Sequence, residues 1–174
     1  LVITADGKGD GLCGGAYLGE GANLHCLDSV ADRYSVGQVY QAITKYLGYR
    51  PNRHEGKITG LSAFGSSAKT WPILQELLGS GSDGKLYNRL YDNDDLEREP
   101  VEYYEGKVKV KGYIKSRYVR YLNGDLKRFV VVHQLLQNHI AAEMGEYSPE
   151  DLAAGVQKLA EDFLATYVRR FLDR

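Results

Sequence analysis

An aspartate set among glycines is the arrangement in this sequence best suited to chemistry. The run Ile3-Thr4-Ala5-Asp6-Gly7-Lys8-Gly9-Asp10-Gly11 carries a short apolar stretch into a glycine-rich turn. A carboxylate at the end of a rigid strand can hold a metal ion or polarise a water, and glycines beside it let backbone N–H groups approach an anion with no Cβ in the way. The same letters describe a tight hairpin between two strands, and on this stretch alone the plain turn is the simpler reading. The histidines add little. His133 and His139 are six apart on an expected helix, where a spacing of three or four would bring two ligands to one face, and with His25 and His54 they are read as packed or solvated side chains.

The elements that must position Asp6 follow from the patterning around it. Strands are expected at Leu1–Ala5, Leu12–Leu18 and Asn23–Val30, joined by the Asp6–Gly11 and Gly19–Gly21 turns into an antiparallel meander. Val36, Val39, Tyr40, Ile43 and Leu47 then recur at three-and-four spacing, an amphipathic helix with Ser35 as N-cap and Gly48 as its stop. Three strands and a helix make the opening half of a ribonuclease-H-like or actin-like ATPase subdomain, so the expected class is α/β in the α+β sense, with a βββα core. Glu55–Gly65 reads as a short helix or tight coil, and Lys69–Leu78 as a helix with Pro72 in its first turn. The tail is helical: one helix over Phe129–Met144, a break at Glu146–Pro149, and a long helix to about Leu172 opened by the Ser148-Pro149-Glu150-Asp151 cap.

Between these parts, residues 79–128 differ in texture and read as an insertion into a single domain over 1–174, whose core is 1–78 and 129–174. Residues 83–105 carry eight acids against three bases, and 107–128 eight bases against Asp125 alone, so the two halves offset each other. Alternation through Lys107–Lys111 and Tyr113–Leu122 has the period of a hairpin. Basic residues interleaved with Tyr113, Tyr118 and Tyr121 could bind single-stranded nucleic acid, but a solvated strand face gives the same letters and is preferred.

Composition excludes several classes. A net charge of −1 supplies no field to recruit nucleic acid or a membrane, and no apolar run approaches the length of a membrane span. Cys13 and Cys26 fall on neighbouring expected strands, where they could lie nearly opposite each other; two buried, reduced thiols in a cytoplasmic protein is the favoured reading over a disulfide. The sequence opens on Leu1 inside a strand-like run, Met144 is its single methionine, and it stops at Arg174 where a further strand would be expected. A piece of a longer protein is the expectation, with partners of any site outside these residues.

At the first helix the residues become specific. Ser35-Val36-Gly37-x-Val39-Tyr40-x-x-Ile43-Thr44-x-Tyr46-Leu47-Gly48-Tyr49-x-Pro51, then Glu55-x-Lys57-x-x-Gly60-Leu61-x-Ala63-x-Gly65, together resemble the antibiotic- and nodulation-factor-type carbamoyltransferases, in their Kae1-like N-terminal part. Thr4-Ala5-Asp6-Gly7-x-Gly9-Asp10-Gly11 is similar to that family's aspartate-glycine strand end, and Asp151-Leu152-Ala153-Ala154-Gly155-Val156-Gln157 to its helix before a glycine-rich strand. The stretches lie in the family's order. Gly56, Thr59, Ser62 and Phe64 depart from it, standing where the family usually has Tyr, Met, Ala and Tyr.

The resemblance implies an ATP-dependent enzyme: a separate YrdC-like domain makes carbamoyladenylate from carbamoyl phosphate and ATP, and the Kae1-like domain passes the carbamoyl group to a hydroxyl of a sugar or other small acceptor. It implies a divalent metal, usually iron, for which only Asp6 carries over as a ligand; a His-x-x-x-His pair and a later aspartate would lie outside 1–174. Gly7, Gly9, Ser35 and Gly37 are then candidates for contacting the adenylate phosphate through free N–H groups at the turn and the helix end. Lys57 could add a point charge and Glu55 could orient it or the ribose, with a surface ion pair as the equally ready alternative. The isolated piece is expected to be inactive, and its open sheet edge and apolar tail stripe to favour a homodimer. Two other readings compete: a sugar-kinase or Hsp70-like ATP-binding domain, and a non-enzymatic binding module in which Asp6 only shapes a turn.

Overall fold

A computed structural model describes residues 1–81, 86–90, 92 and 135–172, together with three short strands between 102 and 115 whose backbone alone is described. The architecture is α+β, small antiparallel sheets with helices packed on them. The meander forms as the sequence indicates, with longer strands: β1 (Val2–Gly9), β2 (Leu12–Glu20) and β3 (Asn23–Ala31), in the order β1-β2-β3 with β1 at one edge.

The expected Asp6–Gly11 turn is corrected in detail. Ala5 pairs with Gly14 and Gly9 with Leu12, so Asp6, Gly7 and Lys8 bulge opposite Cys13 alone, and the chain reverses at Asp10 (φ 52°) and Gly11 (φ 79°). Positive φ at both central residues is the turn whose twist matches two paired strands, and Asp-Gly meets that demand cheaply. Asp6 therefore lies within a bulged strand, and a bulge re-aims the side chains it carries. The cysteines are corrected as well: Tyr17 faces Cys26, whereas Cys13 lies between the Leu12–Ala31 and Gly14–Val30 pairs, so the two thiols are far apart in register. Both are free; Cys13 is buried, but Cys26 is exposed.

A short 3-10 turn (Asp32–Tyr34) leads into α1 (Val36–Tyr46), which ends as expected at Gly48, φ 80°. Glu55–Ser62 is helical (α2), settling the helix-or-coil alternative, and α3 (Thr70–Leu77) accommodates Pro72 in its first turn. Leu78–Ser80 (β4) pairs with Leu86–Asn88 (β5), and the Asn88 side chain donates to the Arg33 carbonyl at 2.6 Å, tying this ribbon back to the 3-10 turn. Glu102–Tyr104 (β6), Lys107–Val110 (β7) and Tyr113–Lys115 (β8) form a three-stranded sheet, one strand more than the expected hairpin. Tyr118, Tyr121, His133 and the first residues of the expected 129–144 helix lie outside the described residues. Residues 135–144 are helical (α4), and α5 (Pro149–Leu172) runs 24 residues.

The core lies among the helices: Val39, Ile43, Ile58, Leu74, Leu77, Ile140, Met144, Leu152, Val156 and Leu159 form one buried cluster. α5 is its spine, packing against α1, α2 and α3. Two glycines permit this closeness. At Gly65 a Cβ would strike the Glu150 carbonyl, and at Gly155 it would strike Thr70. The Asp151 side chain accepts from the Ser66 N–H at 2.7 Å, and the Asp151 carbonyl accepts from the Thr70 hydroxyl at 2.7 Å, fixing the α2–α3 connection on the start of α5. Further along, α5 meets the sheet, where Tyr167 packs with Cys13 and Val30, flanked by Ile3 and Phe171.

Candidate functional site

The bulge in β1 rests on the first turn of α1. A Cβ on Gly37 would come within 3.0 Å of the Gly7 Cα, so two Cβ-free residues let a strand and a helix N-terminus touch. Asp6 is exposed on this bulge; its Oδ1 accepts from the Gly7 N–H at 2.6 Å, and Gly9 lies beside its Oδ2. Lys8 turns the other way and pairs with Asp32 at 3.1 Å.

Ser35 occupies the N-cap position of α1, yet its hydroxyl caps nothing. The residue is 2% exposed, its Oγ is 3.2 Å from where a Gly37 Cβ would stand, and among the described residues it has no hydrogen-bond partner. An unpaired buried hydroxyl carries a penalty of about 1–3 kcal/mol. The N–H groups of a helix's first turn also have no partner within the helix, and its dipole favours negative charge there. Bulge, helix end and buried hydroxyl thus converge on one point.

Two cavities flank that point. One, of about 420 Å³, is lined by Asp6, Gly7, Gly37, Gln41, Asn52 and Glu55 with Val36, Tyr40, Gly56 and Thr59. Its far wall is a hydrogen-bonded frame: Gln41 Nε2 donates to Asn52 Oδ1 at 2.8 Å, and the Asn52 N–H donates to Glu55 Oε1 at 2.6 Å. Asn52 sits at φ 64°, in the left-handed region that asparagine tolerates better than most residues. Behind it the Tyr40 hydroxyl lies 2.7 Å from that of Thr59 and donates to Gln157 Oε1 at 3.0 Å, joining α1, α2 and α5. Burial raises the Tyr40 phenol above its ordinary pKa, against the lowering effect of the Thr59 bond.

The other cavity, of about 350 Å³, lies between the sheet and α5 and is lined mainly by apolar groups: Ala5, Val30, Val36, Phe163 and Leu164, with Cys13, Ser35 and Tyr167. Burial, then the charges of Asp32 and Asp6, push the Cys13 thiol up to about 11. Burial, reinforced by the nearby Asp28 carboxylate, holds the Tyr167 phenol well above its usual range. The Tyr167 hydroxyl is buried, with the Asp28 carboxylate as its neighbour.

The structure thus brings Asp6, Gly7, Ser35, Gly37 and Glu55 to one region. Gly9 and Lys57 stand outside both cavities; the Lys57 ammonium lies over the Tyr49 ring, 5.5 Å from its centroid. Among the described residues no three His, Cys, Asp or Glu side chains come together as a metal site. Asp6 would offer a single carboxylate, so these residues do not by themselves fit a bound divalent ion. His54 accepts from the Arg50 N–H through Nδ1 at 3.1 Å, and His25 faces Glu20 at the surface, both outside the two cavities.

A family described as carbamoyltransferase N-terminus matches residues 1–172. The chain belongs to that family. Among its curated relatives are three uncharacterized proteins. MJ1051 of Methanocaldococcus jannaschii is 42% identical over 67 residues, covering 37% of this chain and 12% of that protein. MJ1058 of the same organism is 23% identical over 167 residues, 83% of this chain and 27% of that protein. The Synechocystis protein sll1178 is 31% identical over 93 residues, 53% of this chain and 15% of that protein. The chain spans at most about a quarter (27%) of the length of these relatives.

For a carbamoyltransferase N-terminal chain, the side chains that sequence reasoning overlooked are Gln41, Asn52 and Tyr167. Gln41 follows Gly37 by one helical turn and Asn52 follows Pro51 in a loop, signals a reader could have joined. Tyr167 is hidden in the apolar stripe of α5, where only its hydroxyl departs from the pattern. Among the described residues no helix is long and apolar enough to cross a membrane.

Proposed function

We propose that this chain forms the transfer site of an ATP-dependent O-carbamoyltransferase, using carbamoyladenylate made by a YrdC-like domain and passing its carbamoyl group to a hydroxyl of a small acceptor. The family match supports carbamoyl transfer in general, and one observation carries the finer reading. The Asp6–Lys8 bulge meets the N-terminus of α1 at the Gly7–Gly37 contact, beside a buried Ser35 hydroxyl that has no hydrogen-bond partner among the described residues. An adenylate phosphate at that point would receive helix N–H groups and the Ser35 hydroxyl, while the ribose and base extend into the adjoining cleft towards Glu55 and Asn52.

In the reaction the acceptor oxygen bonds to the carbamoyl carbon. The bond from that carbon to the phosphate oxygen breaks, AMP leaves with the electron pair, and the hydroxyl proton passes to solvent. The part of this chain is to hold the phosphate and orient the carbonyl; charge developing on the leaving AMP is met by donors already in place.

The test is carbamoyl transfer by the parent protein, supplied with labelled carbamoyl phosphate and ATP. Asp6→Ala and Gly37→Val are each expected to reduce transfer at least a hundredfold, the second by placing side-chain atoms on the Gly7 backbone. Full activity in Asp6→Ala would make Asp6 a turn residue and favour the binding-module reading. Transfer of the γ-phosphoryl group to an acceptor would favour a kinase.

A further inference from the structure

Three aspartates in the sequence are followed by glycine, the pairing in which a backbone amide most easily closes on the preceding carboxyl group, because glycine puts no Cβ in the path. Asp83-Gly84 lies outside the described residues, and the other two pairs differ in geometry. Asp6 is exposed, and no residue of β2 pairs with it or with Gly7. The Gly7 N–H donates instead to the carboxylate just before it, with 2.6 Å between the nitrogen and Oδ1. A short polar side chain has thus taken its own backbone as partner where the ladder supplies none, and the amide nitrogen already lies against the carboxyl group it would attack. Asp10 sits in the reversal between β1 and β2. Both it and Gly11 hold positive φ, the Gly11 carbonyl accepts from the Asp32 N–H at 2.9 Å, and among the described residues the Asp10 carboxylate has no hydrogen bond.

We propose that the Asp6–Gly7 bond is a modification site, where the folded chain isomerises spontaneously from aspartate to isoaspartate through a cyclic imide. The Gly7 nitrogen bonds to the Asp6 Cγ, the Cγ–O bond breaks, and the departing hydroxyl takes the amide proton with it as water. Water then adds back at either carbonyl of the imide. Addition at Cγ restores aspartate; addition at the backbone carbonyl frees that group as a carboxylate and leaves the chain running through Cβ and Cγ, one methylene longer. That methylene falls where β1 touches α1, since a Cβ on Gly37 would already come within 3.0 Å of the Gly7 Cα. The isoaspartyl form therefore gives up the Gly7–Gly37 contact and re-aims the carboxylate of residue 6. The inference holds whatever group the site binds, and it gives the site a limited chemical lifetime.

The experiment incubates the parent protein, folded and near neutral pH, in heavy-oxygen water, digests it in ordinary water, and fragments the peptides that carry residues 6 and 10. Each passage through the imide leaves one heavy oxygen in the peptide, whichever product forms, and electron-transfer fragmentation separates isoaspartate from aspartate. Asp6 is expected to take up label and accumulate isoaspartate about tenfold faster than Asp10 or more, and in urea, where only the shared Asp-Gly sequence remains, the two rates should converge to within about twofold. Gly7→Ala is the second variant. Its Cβ would meet only Gln41 Nε2, at 3.9 Å, so the fold accepts it, and it should slow labelling at Asp6 about tenfold with the melting temperature unchanged. Equal rates at Asp6 and Asp10 in the folded protein would overturn the proposal. So would label at Asp6 in urea alone, which would mean that the bulge clamps the bond, and so would an excess at Asp6 that persists in urea, which would give the effect to the local sequence and not to the fold. Undiminished labelling in Gly7→Ala would overturn the imide route.

Discussion

Alanine at two helical glycines should have effects of opposite sign, because the two positions face different surroundings. Gly155 is buried on α5, where a Cβ would lie 2.8 Å from the Thr70 Cβ, 3.1 Å from the Thr70 backbone carbon, and closer still to its hydroxyl. Gly60 is exposed on α2, and a Cβ there would have nothing within 4 Å. Replacing glycine by alanine in a helix interior gains about 1 kcal/mol of intrinsic propensity at either site. At Gly60 that gain stands alone. At Gly155 the obstacle includes backbone, so relief requires α3 to move from α5. Overpacking of this kind costs about 1–3 kcal/mol. The movement also stretches the bond from the fully buried Thr70 hydroxyl to the Asp151 carbonyl, worth about 0.5–1.5 kcal/mol. Loss exceeds gain by about 0.5–3.5 kcal/mol, or roughly 2 kcal/mol at the middle of that range.

Thermal unfolding of the two variants reads this directly. Gly155→Ala should melt lower by about 4–8 °C and Gly60→Ala higher by about 2–4 °C, at the few degrees per kcal/mol typical of a domain this size. Stabilisation by Gly155→Ala would refute the claim that α3 and α5 touch at this glycine, and with it the account of why α2, α3 and α5 hold together.

Two further outcomes follow from the site. Ser35→Ala should leave the melting temperature unchanged or raise it, where an N-cap serine replaced by alanine ordinarily loses about 0.5–2 kcal/mol; a loss of 1 kcal/mol or more in urea titration would mean that the hydroxyl caps α1 after all. Stability should also fall at high pH. The Cys13 thiol is raised to about 11 in the folded chain from an ordinary value near 9. The unfolded chain therefore releases this proton first, and the stabilising contribution, complete below about pH 9, is lost as pH climbs to 11, with Tyr167 acting in the same direction from about pH 10 upward. Cys13→Ala should flatten the pH 9–11 part of the urea-midpoint profile, and iodoacetamide at pH 8 should label Cys26 while sparing Cys13.

The meander and α1 were legible because local rules decide them: alternation, an Asp-Gly reversal, a three-and-four apolar stripe closed by Gly48. The bulge was not, since only pairing with β2 shows that Asp6, Gly7 and Lys8 face a single residue. Read singly, Asp6 closes a strand; paired, it lies inside one, and its carboxylate turns towards its own backbone as well as towards the cleft. The cysteines fail for the same reason. Their sequence separation about the Gly19–Gly21 turn permits a close approach, and the register shift near Ala16 and Tyr17 sets them apart.

The site illustrates a different limit. Ser35 is identifiable as a cap from its type and position, and Gly37 passes for a weak residue in a helix. Their meaning depends on Gly7, thirty residues earlier in the chain, whose Cα occupies the space a Gly37 side chain would need. That contact closes the space around the Ser35 hydroxyl without supplying an acceptor, so the residue that ordinarily serves its own helix is left to serve something else. Local propensity and buried-polar accounting disagree at this one position. Such disagreement is where function is most readily sought, because a cap that satisfies nothing is retained at a penalty that only a bound group would remove.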